Sequence, residues 1–152
     1  MFAIVVPCFN EESRFQDDAF RIALEEIADL HLCFVDDGST DRTGDRLRAF
    51  CMQNSGSAEL LSLAANQGKA EAVRQGLLHV ITCGFDSRRF DAVGYWDADL
   101  ATPLQARAEF YRAMMDHPLP DMVLGSRVRC LGRHIERSAI RHFFGRVFAT
   151  FA

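Results

Sequence analysis

Four short apolar runs, at residues 2–6, 32–35, 60–63 and 92–96, set the strongest limit on how this chain can fold. Each stops at a polar turn, and each is followed by a longer stretch of helical period, at about 18–30, 41–53, 69–83 and 103–115. Residues 122–125 read as a fifth strand. A run apolar on both faces, such as Phe2-Ala3-Ile4-Val5-Val6, belongs inside a sheet covered on both sides. Strands that alternate with helices imply an α/β fold: a mostly parallel, Rossmann-like sheet flanked by helices, with right-handed crossovers. Pro7 is expected to end the first strand, and Ser39 or Thr40 to cap the second helix.

The 152 residues are about one domain's worth, and a net charge of −4 argues against general nucleic-acid binding. The charge is uneven. Residues 125–152 carry six arginines and one acid, a net of +5, whereas residues 1–124 carry 11 basic and 20 acidic side chains, a net of −9. That asymmetry points to a tail that meets phosphate or a membrane surface. Five scattered cysteines without C-x-x-C spacing fit free thiols in a reducing compartment. Nothing approaches 18 consecutive apolar residues, so a soluble or peripheral protein is expected, cytoplasmic or on the cytoplasmic face of a membrane. The chain stops at Ala152 within a helical pattern, without a capping residue, which reads as a fragment truncated at its C-terminus. A sheet cut short would expose an edge or an apolar face through which two copies could pair as a homodimer.

In parallel sheets ligands bind beyond the carboxyl ends of the strands. Residues 7–12, 36–39, 66–69 and 97–102 all fall there. Asp97 and Asp99 follow the fourth run one residue apart, and on a strand both would point to one side. Two carboxylates so placed suit Mg²⁺ or Mn²⁺, hard cations that take oxygen ligands and leave room for a phosphate. The bland reading is a strand end that has reached solvent, followed by a helix cap. Asp36 or Asp37 could accept from a nucleobase N–H or a ribose hydroxyl, with Gly38 permitting close approach, or could belong to a tight turn before a helix. Glu12 could hold a ribose hydroxyl or act as a first-turn acid. Lys69 is the only lysine, set behind Gly68 at a helix start, and is suited to a phosphate, to bridging an acid, or to simple solvation. The loop 66–69 is not a P-loop, and no G-x-G-x-x-G follows the first strand.

Val6-Pro7-Cys8-Phe9-Asn10-Glu11-Glu12, Val35-Asp36-Asp37-Gly38-Ser39-Thr40-Asp41, Asn66-Gln67-Gly68-Lys69 and Asp97-Ala98-Asp99-Leu100, in this order, resemble the motifs of family 2 glycosyltransferases with the GT-A fold. Among these the sequence is most similar to the polyprenyl-phosphate (dolichyl-phosphate) mannosyl- and glucosyltransferases. The resemblance implies an inverting transfer from a GDP- or UDP-sugar donor to a lipid-phosphate acceptor. It would place Pro7, Asn10 and Glu12 in the nucleoside pocket, Asp37 (or Asp36) on the base, and Lys69 in support of that pocket. Asp97 would face the ribose or diphosphate, and Asp99 would ligate the metal that bridges the two phosphates.

Gly125-Ser126-Arg127 resembles the family's post-strand G-S-R, where Arg127 would meet donor phosphate or acceptor. The arginine-rich residues 133–141 resemble an acceptor loop, and the aromatic run 143–151 could lie in a membrane interface or pack as an ordinary helix. Residues 1–124 would then be a nucleotide-sugar-binding core and 125–152 the start of an acceptor-side region. Two departures stand out. Position 101 is Ala, where some relatives carry a side chain that helps hold the metal, and no catalytic base of the kind needed by hydroxyl acceptors is identifiable. A hydroxyl acceptor, or a nucleotide-sugar-binding fragment without turnover, are the competing readings.

Overall fold

The computed structural model describes residues 1–84, 90–116 and 122–125. Met1–Ala108 packs as one compact unit, and a second unit begins at Glu109. The elements follow the expected alternation: β1 (Phe2–Cys8), α1 (Asp17–Glu26), β2 (Leu30–Asp36), α2 (Thr43–Gln53), β3 (Ala58–Ser62), α3 (Lys69–Cys83), β4 (Ala92–Tyr95), a 3₁₀ turn (Leu104–Ala106) and α4 (Arg107–Asp116). The four strands form one sheet in the order β3-β2-β1-β4, and every pair is parallel. The α/β expectation therefore holds.

Alternation along the central strands sends side chains to two cores. Ile4, Val6 and Cys8 of β1 and Leu32 and Phe34 of β2 face Phe15, Phe20, Leu47 and Phe50. Ala3, Val5, Cys33 and Val35 face Ala72 and Val80 of α3. Both faces of β1 and β2 are thus covered, which is why these strands carry continuous apolar runs. Gly76 lets α3 lie close on the sheet: a Cβ there would stand 2.4 Å from a methyl of Val5 and 2.7 Å from one of Val35.

Some local expectations fail for physical reasons. Pro7 does not end β1 but sits within it, opposite Val35, and the strand runs on to Cys8. The first helix stops at Glu26, four residues earlier than its period suggests, because Ile27 is extended and Asp29 adopts φ 60° to turn the chain into β2. Neither Ser39 nor Thr40 caps α2, whose N-cap position is Arg42. The stretch expected as one helix over 103–115 splits into the 3₁₀ turn and α4. Residues 122–125 are not a strand, and Met122 and Leu124 are exposed. Strand geometry needs a hydrogen-bonded neighbour, and none is found for this run among the described residues.

Cys8, Cys33 and Cys51 are buried free thiols. Burial pushes the first two well above the ordinary thiol range and Cys51 up to about 12, so they are inert core groups and not nucleophiles.

At the amino-terminal part of the sheet, Glu59 of β3 accepts from two imidazoles, His31 Nε2 at 3.2 Å and His79 Nε2 at 3.1 Å. Burial tends to raise the Glu59 pKa, but the two hydrogen bonds outweigh it and the carboxyl lies below its ordinary value of 4.5. A lowered folded pKa stabilises above the unfolded value and is lost as pH falls through the folded one. Urea unfolding of the wild type should therefore lose stability below about pH 4.5, and Glu59→Gln should flatten that acid limb. An unchanged acid limb in the variant would show that this carboxylate is not part of it.

Candidate functional site

The strand order reverses between β1 and β4, the point at which a parallel sheet leaves room for a ligand beyond its carboxyl ends. Four loops meet around this edge, and most of their polar groups hold one another.

The loops after β1 and β2 are tied together. Asn10, at φ 52°, accepts the Thr40 N–H on Oδ1 at 2.9 Å, and its own N–H donates to Ser39 Oγ at 3.0 Å. The Glu11 N–H donates to Thr43 Oγ1 at 2.7 Å, and the Glu12 N–H to Asp41 Oδ2 at 3.2 Å. Glu12 accepts from the Arg42 N–H at 3.2 Å and from Arg42 Nε at 2.6 Å, and these contacts hold its carboxyl below the usual range. Asp41 is lowered as well, chiefly by the Thr43 hydroxyl. Arg46 reaches across from α2, donating to the carbonyls of Glu12 and Phe15 and to Asp17, with its guanidinium 5.6 Å from the Phe15 ring centre.

The loop after β3 is held by Asp37. This carboxylate is only 2% exposed and accepts the backbone N–H of Gln67 at 2.8 Å and of Gly68 at 2.9 Å. Gly38, at φ 66°, lies so close to the Ala65–Asn66 backbone that a Cβ would stand 2.5 Å from it. Asp36 accepts the Ser39 N–H at 3.1 Å and lies against Gly44. Gly68, at φ 91°, then launches α3 with Lys69 as its first residue.

Lys69 Nζ donates to Asp97 Oδ1 at 2.6 Å and stands 5.9 Å from the Tyr95 ring centre. Both partners are about half exposed. Strand β4 ends at Tyr95, so Asp97 and Asp99 lie in the turn beyond it, and strand alternation is not what aims them. The turn is shaped by the Leu100 N–H on the Asp97 carbonyl at 3.1 Å, by Leu100 at φ 50°, and by Trp96 Nε1 on the Thr102 carbonyl at 2.5 Å. Gln16 Nε2 donates to the Asp99 carbonyl at 3.0 Å, which links the turn to the start of α1. The exposed Asp99 side chain accepts the Ala101 N–H on Oδ1 at 3.0 Å.

Asn10, Glu12, Asp36, Asp37, Lys69, Asp97 and Asp99 all come to this one edge of the sheet, with Pro7 in the strand beneath. Asn10, Glu12 and Asp37 are engaged in joining loops. Arg127 and the arginine-rich and aromatic segments after it lie outside the described residues. Sequence reasoning missed Phe9, an aromatic ring left 41% exposed at the end of β1, and the cross-loop roles of Arg42, Arg46 and Gln16. An aromatic residue between a strand and a polar turn was the available signal for Phe9; nothing local marked the others.

No group of three His, Cys, Asp or Glu side chains among the described residues is placed to hold a metal ion. Nor, among the described residues, is any helix long and apolar enough to cross a membrane.

Comparison with known proteins adds to this geometry. Residues 3–149 match the family described as Glycosyl transferase family 2. The chain is 34% identical over 119 residues to the uncharacterized glycosyltransferase YkoT of Bacillus subtilis, covering 72% of this chain and 33% of that protein. It is 27% identical over 151 residues to a dolichyl-phosphate beta-glucosyltransferase of Saccharomyces cerevisiae, covering 92% of this chain and 45% of the yeast protein. An undecaprenyl-phosphate 4-deoxy-4-formamido-L-arabinose transferase of Pseudomonas aeruginosa is 30% identical over 106 residues, 68% of this chain and 29% of that one. The chain thus spans less than half the length of each of these relatives. A mannosyltransferase of Pyrobaculum calidifontis, solved in complex with GDP-Man and Mn²⁺, shares the fold with a TM-score of 0.53 at 20% identity, over 77% of this chain and 32% of its own.

Proposed function

The chain belongs to glycosyl transferase family 2, with the GT-A fold, and from that premise we propose that its strand-end crevice binds a nucleotide-diphospho-sugar, as part of an enzyme that passes the sugar to a polyprenyl phosphate. The observation that carries this reading is the Lys69–Asp97 pair in the turn that also carries Asp99, beyond β4 at the β1/β4 reversal, where a diphosphate would lie. The exposed Phe9 ring offers a face for the nucleobase. The joined loops around Asn10, Glu12 and Asp37 supply a rigid rim at little further entropic cost on binding.

The residues present fit Mg²⁺ or Mn²⁺. The donors are carboxylate oxygens in an open turn, and the described residues lack a third ligand. Such ions are commonly bound by one or two carboxylates, with substrate phosphates and water completing the shell. Asp99 would be the ligand and Asp97 would face the ribose or diphosphate. A bound cation would neutralise the charge that develops on the nucleoside diphosphate as it leaves.

The dolichyl- and undecaprenyl-phosphate names among the relatives support the lipid-phosphate acceptor. A phosphate monoester is largely dianionic near neutral pH, with a second pKa of about 6, and needs no protein base before it attacks. Attack from the face opposite the diphosphate inverts the sugar. Residues 1–124 would form the donor-binding core, with Arg127 and the arginine-rich tail on the acceptor side, against a membrane surface.

Calorimetric titration of GDP, UDP and their sugar conjugates, with and without Mn²⁺, tests the donor site. One nucleotide should bind, only with the metal, and Asp99→Asn should weaken it by about 10- to 100-fold. Nucleotide binding that ignores both Mn²⁺ and Asp99→Asn would sink the metal assignment.

A further inference from the structure

We infer that Lys69 keeps a free divalent cation off the Asp97–Asp99 turn, so that metal and nucleotide diphosphate are taken up together. This role rests on the donor-site reading above and gives Lys69 a task within it.

The geometry is specific. The ammonium stands 2.6 Å from Asp97 Oδ1, at the mouth of the turn whose other acid is Asp99. Its backbone is fixed, because Lys69 opens α3 directly after Gly68, whose N–H is held by the buried Asp37 carboxylate. Its head is free to move, being about half exposed on a flexible four-carbon stem. A divalent cation approaching the Asp97–Asp99 turn therefore meets a positive charge on its Asp97 side, and with no third protein ligand among the described residues it has little to offset that repulsion. A 2+ ion about 5 Å from an ammonium, screened nearly as in water, loses on the order of tenfold in affinity. A diphosphate reverses the balance. It adds ligands and negative charge, and gives the ammonium a second anion to which it can turn.

Free Mn²⁺ binding to the full chain, followed by electron paramagnetic resonance without nucleotide, tests this role. Wild type should leave the Mn²⁺ signal nearly undiminished, and Lys69→Met should bind the ion about tenfold more tightly. Lys69→Arg, which keeps the charge, should behave like wild type. The gain in Lys69→Met should vanish when Asp99→Asn, which removes the proposed ligand, is added. An ammonium too far from the ion to repel it predicts no change in Lys69→Met. Circular dichroism checks the fold of Lys69→Met, and Lys69→Gln carries the same reading should that variant not fold. Tight Mn²⁺ binding by wild type alone, or no gain in the neutral variants, would overturn the inference. If Mn²⁺–nucleotide fails to bind even to wild type, the donor-site reading falls instead, and the free-Mn²⁺ comparison still judges Lys69 separately.

Discussion

Phe34→Ala should destabilise the chain by about 4 kcal/mol, the largest loss expected from any single truncation here. Phe34 lies on β2, fully buried, with its ring centre 5.5 Å from Phe15, 5.1 Å from Phe20 and 5.4 Å from Phe50, each in edge-to-face geometry. Those three rings come from the loop before α1, from α1 and from α2, so Phe34 is where the helices on one face of the sheet meet. Truncation removes the transfer energy of a large ring and leaves a cavity that three other rigid rings cannot close. Urea unfolding should show a lower midpoint with an unchanged slope. Met52→Ala, on the exposed side of α2, serves as the control and should change stability by less than about 0.5 kcal/mol. Equal effects at the two positions would mean that the four-ring cluster is not the core of this face.

Asp37→Ala should cost about 3 kcal/mol, by a different mechanism. The carboxylate is sealed from water and binds two backbone N–H groups, those of Gln67 and Gly68. Removing it leaves both donors without their acceptor and frees the turn that starts α3. Asp37→Asn should fall between wild type and Asp37→Ala, because the amide offers one oxygen and turns an NH₂ toward a second donor. Amide hydrogen exchange reads the effect locally: protection at Gln67 and Gly68 should drop in Asp37→Ala well before the midpoint of global unfolding moves. The same variant should weaken nucleotide binding, because Lys69 would no longer be held opposite Asp97. Wild-type exchange rates at those two amides in Asp37→Ala would show that the clamp does not form.

These two residues also mark the limits of reading the sequence. Phe34 was legible as core from its place in a continuous apolar run, and the parallel sheet followed from the rhythm of such runs. Asp37 was legible as a strand-end acid, but its bonding was not. The turn reading and the ligand reading were both open, and what the structure shows is a clamp on the backbone N–H groups of Gln67 and Gly68, 30 and 31 residues away. Glu12 is similar: first-turn acid and sugar ligand were both available, and its partner is Arg42, again 30 residues along the chain. Asp97 and Asp99 were expected to be aimed by strand alternation. They are aimed instead by a turn beyond the strand, built from Leu100 at positive φ, the Trp96 indole and the Gln16 amide.

What the amino-acid sequence determined by itself is whatever depends on local period and composition. That includes the alternation of strands and helices, their burial on both faces, and the ordered motifs that mark the family. Its limits show at element ends, since Pro7 and residues 122–125 followed the availability of strand partners and not their own propensity. What only the tertiary structure decided is which polar group meets which. The Asn10–Thr40, Glu12–Arg42, Asp37–Gly68 and Lys69–Asp97 contacts each join residues 28 to 31 positions apart. A hydrogen bond depends on angstrom-scale placement of two groups, and that placement exists only after the parallel strands have brought their carboxyl ends to a single edge.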